Sequence, residues 1–207
     1  MNGPYRSRKY QTRDTLKHLV IVCEGERTEV IYFNRYQKRG LGVKLEVWSD
    51  RKNDPVGLVR RALKRIEDPK DPLDLTGGDI VWCVLDADDH QQKKLDKAVE
   101  IADGNVRMAL SAPCFELWFL LHFDLPGMRM TSGEAVDALK ERIPEYGKDL
   151  DVFDVLEPLR ECALKNATRL ARGKDAGHPC IDDNPQTMVH ILVAEILEIH
   201  RKNRNRN

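Results

Sequence analysis

Unbroken apolar runs and alternating runs follow one another along this chain. His18-Leu19-Val20-Ile21-Val22-Cys23 has no polar interruption, the pattern of a central parallel strand covered on both faces. A helix is predicted from about Arg27 to Arg39, ended by Gly40. Val43, Leu45 and Val47 then alternate with Lys44, Glu46 and Trp48, which predicts a half-exposed strand nearer a sheet edge. Asn53-Asp54-Pro55 opens the next helix with a side-chain cap and a first-turn proline, and Val56, Val59, Leu63 and Ile66 form its expected buried stripe. Pro69, Pro72, Gly77 and Gly78 mark a loop, after which Ile80-Val81-Trp82-Cys83-Val84-Leu85 is again wholly apolar. A lysine-rich helix over about 91–102 and a short strand over 106–110 complete a β-α-β-α-β-α-β order. The crossover rule turns that order into a mainly parallel four-stranded sheet between helices, a Rossmann-like α/β sandwich.

Beyond the sheet the pattern is helical. Ser111-Ala112-Pro113 starts a segment to about Leu121 that is apolar nearly all round and is expected to be buried. Thr131 with Glu134 reads as a capping box for a helix to about Arg142, Pro158 starts another reaching Arg172, and Asn184-Pro185 opens the last. In that last helix Val189, Leu192, Ile196 and Ile199 share a face. The organisation is therefore a basic tail over 1–17, an α/β domain over 18–125, a helical extension over 126–200 packed on it, and a second basic tail over 201–207.

Charge narrows the functional classes only locally. The 34 basic residues balance the 34 acidic ones, so any attraction for nucleic acid must come from a patch. The tails offer two, with Arg6, Arg8, Lys9, Arg13 and Lys17 at one end and Arg201, Lys202, Arg204 and Arg206 at the other. They read either as solvated ends or as a hold on a phosphate backbone. The five cysteines have no paired spacing, and Cys23 and Cys83 sit inside apolar strands, a reduced, cytosolic pattern. No apolar stretch approaches the ~20 residues of a membrane span, and the start of the chain lacks the apolar core of a secretory signal, so the expected location is cytoplasmic with no membrane partner.

Both long apolar runs end in acids: Cys23 is followed by Glu24-Gly25-Glu26 and Leu85 by Asp86-Ala87-Asp88-Asp89-His90. Ligands of open α/β sheets bind outside strand C-termini, and gathered carboxylates call for a counter-charge, most simply a divalent cation with oxygen ligands. Asp86 and Asp88 are the expected metal ligands, and Glu24 binds metal or takes a proton from an attacking water. Asp89 divides between ligation and a helix cap. Glu26 and Glu29 read as helix-start acids complementing the dipole. Glu116 and His122 sit in an otherwise apolar helix and each needs a partner; Glu116 divides between supporting the aspartates and a structural bond, and His122 is expected to be a satisfied core histidine. Lys148, after Tyr146-Gly147, is a turn residue open to either solvent or phosphate. There is no Walker-type phosphate loop, no G-x-G-x-x-G and no G-x-S-x-G elbow, and His178-Pro179-Cys180 has no second ligand pair for zinc.

The segments Val22-Cys23-Glu24-Gly25-Glu26-Arg27-Thr28-Glu29, Leu85-Asp86-Ala87-Asp88-Asp89-His90 and Ser111-Ala112-Pro113-Cys114-Phe115-Glu116-Leu117-Trp118-Phe119-Leu120-Leu121-His122-Phe123 together resemble the RloB family, as does Asn184-Pro185-Gln186-Thr187-Met188-Val189. RloB-like proteins are in turn similar to TOPRIM domains, which use a glutamate after the first strand and a D-x-D after a later one in Mg²⁺-dependent phosphodiester chemistry. The resemblance implies a TOPRIM-like fold, Glu24, Asp86 and Asp88 as catalytic and metal-binding residues, and Asp89, His90 and Glu116 in support. It also implies Mg²⁺ or Mn²⁺ as cofactor, RNA or DNA as substrate, and a place in anti-phage defence, with an AAA-type ATPase encoded nearby as a partner. No separate tyrosine or partner domain for strand passage is evident, which argues against a topoisomerase. Two other readings of the residues remain. One is a haloacid-dehalogenase-type phosphatase, disfavoured because that family carries its D-x-D on the first strand. The other is a non-catalytic nucleic-acid- or ATPase-binding subunit.

Overall fold

The computed structural model describes residues 16–37, 42–50, 54–88, 90–175 and 178–204. Arg6, Arg8, Lys9, Arg13 and Arg206 of the tails, the helix end at Arg39-Gly40, Asn53 and Asp89 lie outside the described residues. Four parallel strands, β1 (His18–Cys23), β2 (Lys44–Ser49), β3 (Ile80–Asp86) and β4 (Arg107–Ala112), and a short antiparallel β5 (Gln186–Thr187) form one sheet in the order β2-β1-β3-β4-β5. The apolar runs occupy the centre, where Leu19 to Cys23 and Cys83 to Leu85 are completely buried. The alternating β2 is at the edge, as its half-polar pattern predicts.

Helices α1 (Thr28–Gln37), α2 (Pro55–Ile66) and α3 (Gln92–Ala102) make the crossovers. The chain steps from β1 to β2 in one direction and from β2 to β3 and β3 to β4 in the other, so right-handed crossovers place α1 on one face and the packed pair α2 and α3 on the opposite one. A crevice therefore opens where β1 and β3 lie side by side at their C-terminal ends. Asp54 caps α2 by accepting from Gly57 N at 3.0 Å, and Pro55 takes the first turn. The stripe buried beneath α2 is Leu58, Val59 and Ala62, with Val56, Leu63 and Ile66 only partly covered.

The remaining α-helices among the described residues are α4 (Glu116–Leu120), α5 (Ser132–Arg142), α6 (Phe153–Leu156), α7 (Arg160–Leu170) and α8 (Val189–Arg204), with Pro158 in a 3-10 turn (Glu157–Leu159) that leads into α7. The Thr131–Glu134 capping box is present. Two sequence expectations are corrected. Ser111 and Ala112 do not start a helix, because β4 continues through them to pair with Asp86 and with β5, and α4 is a single short turn that starts only at Glu116. Asn184-Pro185 likewise opens no helix: Gln186 and Thr187 fill the outer edge of β4, with Thr187 Oγ1 2.8 Å from Ser111 Oγ and Met188 N donating to Leu110 O at 2.8 Å. The last helix starts at Val189.

An aromatic cluster fixes α1 against α4 and α6. Tyr32 has Phe33, Phe115, Phe119 and Phe153 within 5.3–5.9 Å, the first two edge-on and the other two tilted. Such pairs contribute roughly 0.5–1.5 kcal/mol each beyond area burial, and here they set where the first residues of α1 and α4 stand. His122 is a satisfied core group, its Nδ1 2.9 Å from Trp118 O, and burial pushes its pKa down to about 4. Cys23, Cys83 and Cys114 are buried free thiols. Among the described residues no helix is long and apolar enough to cross a membrane.

Candidate active site

The crevice between β1 and β3 brings Glu24 and Asp86 together. Glu24 N continues the sheet by donating to Val84 O at 3.0 Å, and the Glu24 carboxylate turns back to accept from Asp86 N at 3.3 Å. Its other oxygen is 2.8 Å from Nε2 of the nearly buried His90. Asp86 closes β3, opposite Ser111 of β4. Its Oδ1 is buried and has no hydrogen-bond partner among the described residues.

Two further carboxylates converge on Asp86. Glu29, in the first turn of α1, is only 5% exposed, and Glu116, at the start of α4, 2%. Glu29 is thus more than the dipole-complementing acid its position suggests. Burial, followed by the charges of Glu29, Glu116, Glu24 and Asp88, holds the Asp86 carboxyl well above the usual carboxylate range. Burial and the Glu116 charge raise Glu29 to about 7, against a bond from its own backbone N–H and the attraction of Lys148.

Lys148 and Arg27 are cations that line the cleft around these acids, and Lys148 stands nearest Glu116. The Lys148 Nζ is 4.0 Å from Glu116 Oε1, which also accepts from Tyr146 Oη at 3.0 Å. Glu116 raises the lysine's pKa, with smaller contributions from Asp86, Cys114 and Glu29. The segment that presents Lys148 is tied to α1 by Thr28 Oγ1 donating to Lys148 O at 3.1 Å, by the Arg27–Asp149 ion pair, and by Arg35 reaching Asp151 at 2.6 Å and Asp154 at 2.5 Å. Gly25, Thr28, Glu29, Asp86, Glu116 and Lys148 line a cleft of about 240 Å³.

Asp88 leaves this cleft. It accepts from Ser132 Oγ at the start of α5 and borders a broader depression of about 490 Å³ with Pro113, Arg129 and Thr131. Glu24 and Asp86 are brought together, then, while Asp88 lies on the far side of the Asp86-Ala87-Asp88 turn. Glu29, read from the sequence as a helix-start acid, is the site residue whose place the sequence did not reveal, its nearest signal being Gly25 four residues ahead; Lys148, open in the sequence to solvent or phosphate, lines the cleft.

The acids around Asp86 offer carboxylate oxygens, the donors a hard cation takes, and one Asp86 oxygen is buried without a partner among the described residues; no three of these acids bring ligating atoms within 4.8 Å of one another. Among the described residues one trio of ligating atoms lies within 4.8 Å of one another, His18, Glu46 and Asp71, at the opposite end of β1. There Arg65 donates to both Glu46 oxygens at 2.8 Å and Lys44 reaches Asp71 at 2.8 Å, so protein cations already balance those acids.

A family model described as RloB-like protein matches residues 19–196. No curated protein and no solved structure matches the chain.

Proposed function

The chain belongs to the RloB-like family, and on that premise we propose that it is a metal-dependent nuclease that hydrolyses phosphodiester bonds of RNA or DNA. The observation that carries this reading is the unpartnered, buried Asp86 oxygen amid Glu29, Glu116 and Glu24, with one lysine opposite. Such a concentration of acid is costly in a closed site and useful in one that takes up a cation and a phosphate.

Asp86, Glu29 and Glu116 would hold Mg²⁺ or Mn²⁺, with Glu24 and Asp88 at the margin. When bound, a divalent ion supplies Lewis-acid polarisation of a phosphate oxygen and lowers the pKa of a coordinated water. The chain's own groups do the rest. Lys148 brings an ammonium to the cleft, where it offsets charge on the phosphate. Glu24, oriented by His90 and by Asp86 N, accepts the proton of an attacking water. The depression beyond Asp88 gives the polymer a path past the turn.

Labelled RNA and DNA incubated with the purified protein and Mg²⁺ or Mn²⁺ test the reading. Cleavage that falls at least ~100-fold in Asp86→Asn and in Lys148→Ala supports it, by the scale of losing a transition-state charge contact. Cleavage indifferent to both substitutions overturns it. The family resemblance supports a role in anti-phage defence beside an AAA-type ATPase, and co-expression with such an ATPase during phage challenge tests that part.

A further inference from the structure

We propose that Trp48 and the basic side of α2 form a second nucleic-acid-binding surface, separate from the cleft, that holds the polymer by its backbone and by base stacking. Helix α2 carries Arg60, Arg61, Lys64 and Arg65 and not one acid between Pro55 and Ile66, in a chain whose total charge is zero. Its core-facing side is spent on Leu58, Val59 and Ala62. Arg60, Arg61 and Lys64, within about 100° of one another on the helix, are exposed to solvent.

Arg65 differs from the other three: it turns inward and is neutralised by Glu46. Among the described residues, Arg60 and Lys64 have no acidic partner, and Arg61 has one, Asp50 Oδ2 at 3.4 Å from its Nε. Arg60 and Lys64 are thus available rather than consumed by the protein's own acids.

An aromatic ring completes the arrangement. Trp48 belongs to the edge strand β2 and is only partly covered, and the Arg61 guanidinium lies 5.9 Å from its ring centroid. Trp48, Arg61, Lys64, Arg65 and Asp68 enclose an open slot of about 270 Å³. An acidic peptide would use the charges and leave the indole idle. A single-stranded nucleic acid uses both, with phosphates on Arg60 and Lys64 and a base against Trp48 and Arg61. The slot lies between the edge strand and α2, with a lining distinct from that of the Asp86 cleft. It shares with the nuclease reading the class of polymer and no residue.

The test is fluorescence anisotropy of the intact protein with a labelled single-stranded RNA and its DNA counterpart, in EDTA so that nothing is cut, over a range of salt. The double variant Arg60→Glu/Lys64→Glu, at exposed positions, is expected to weaken binding about tenfold or more and to lower the salt slope by roughly one to two. Trp48→Ala is expected to weaken binding several-fold and Trp48→Phe to restore most of it. Affinity and slope unchanged in the double variant overturn the proposal. So does polyglutamate competing as well as nucleic acid with no response to Trp48→Ala. A protein that binds in this way but never cuts with metal fails only the nuclease reading; one that cuts while ignoring these variants fails only this one.

Discussion

The Glu29 carboxylate lies directly over the α-carbon of Gly25, where a methyl group would meet both of its oxygens at 2.2 Å. Glycine is needed here for space, so that the turn after β1 can pass beneath a buried acid aimed at Asp86. Gly25→Ala is expected to displace Glu29 and to cost about 1–3 kcal/mol, the usual range for overpacking. Its cleavage rate should fall more steeply than that of Glu29→Asp, whose shorter side chain leaves the turn intact. A thermal melt together with single-turnover cleavage checks both parts.

Asp86 is expected to cost the metal-free protein stability. Its charge is buried among like charges and one oxygen has no partner, so Asp86→Asn is expected to stabilise the metal-free protein by about 1 kcal/mol, a midpoint rise of about 2–4 °C for a chain of this size. Mg²⁺ should raise the melting midpoint of the wild type and leave that of the variant unmoved, since a ligand stabilises only the state that binds it. Differential scanning fluorimetry with and without Mg²⁺ measures both effects, and an equal metal response in the two proteins refutes the assignment.

The parts of this molecule written in local sequence were legible and the parts made by distant contacts were not. The central strands announced themselves because burial on both faces leaves an unbroken apolar run, and with them came Glu24 and Asp86 at one rim. The α5 cap was legible because Thr131 and Glu134 bond each other. Strand β5 has two residues, too few to show any period, and exists because β4 has an outer edge to fill. Lys148 reached the site through a bond from Thr28 that spans 120 residues. Glu29 looked like an ordinary helix-start acid because the groups that bury it come from β3, α4 and the Lys148 segment.

The stability of the metal-free protein should depend on pH through Glu29. Its folded pKa stands near 7, above the ordinary 4.5, chiefly because the group is buried. Between those values the folded state binds more protons than the unfolded one, so stability falls as pH rises from about 4.5 to 7 and levels off above. Glu29→Gln should flatten this decline and Mg²⁺ should offset it. Urea unfolding at a series of pH values, in EDTA and again with Mg²⁺ in its place, provides the measurement.

Asp88 is held by Ser132, and that bond competes with any other use of the carboxylate. Ser132→Ala frees the carboxylate at an exposed position, so stability should change by less than about 0.5 kcal/mol. Calorimetric titration with Mn²⁺ is expected to show several-fold tighter binding in this variant if Asp88 swings toward the metal, and Asp88→Ala should cancel the gain. Identical affinities in all three proteins would remove Asp88 from the ligand set.

The C-terminal helices act on the site through its framework. Asn166 of α7 donates from Nδ2 to Leu121 O at 2.9 Å, closing the buried end of the short helix that begins with Glu116. Asn166→Ala leaves that carbonyl without its donor in the interior, a loss of about 1–3 kcal/mol. For a chain of this length that is a drop of about 2–12 °C in melting midpoint. Because α4 is also pinned by Phe115 and Phe119 in the aromatic cluster, Glu116 should keep its place, and cleavage measured well below the midpoint should change by no more than a few-fold. A large loss of cleavage at unchanged stability would instead mean that α7 positions Glu116 directly.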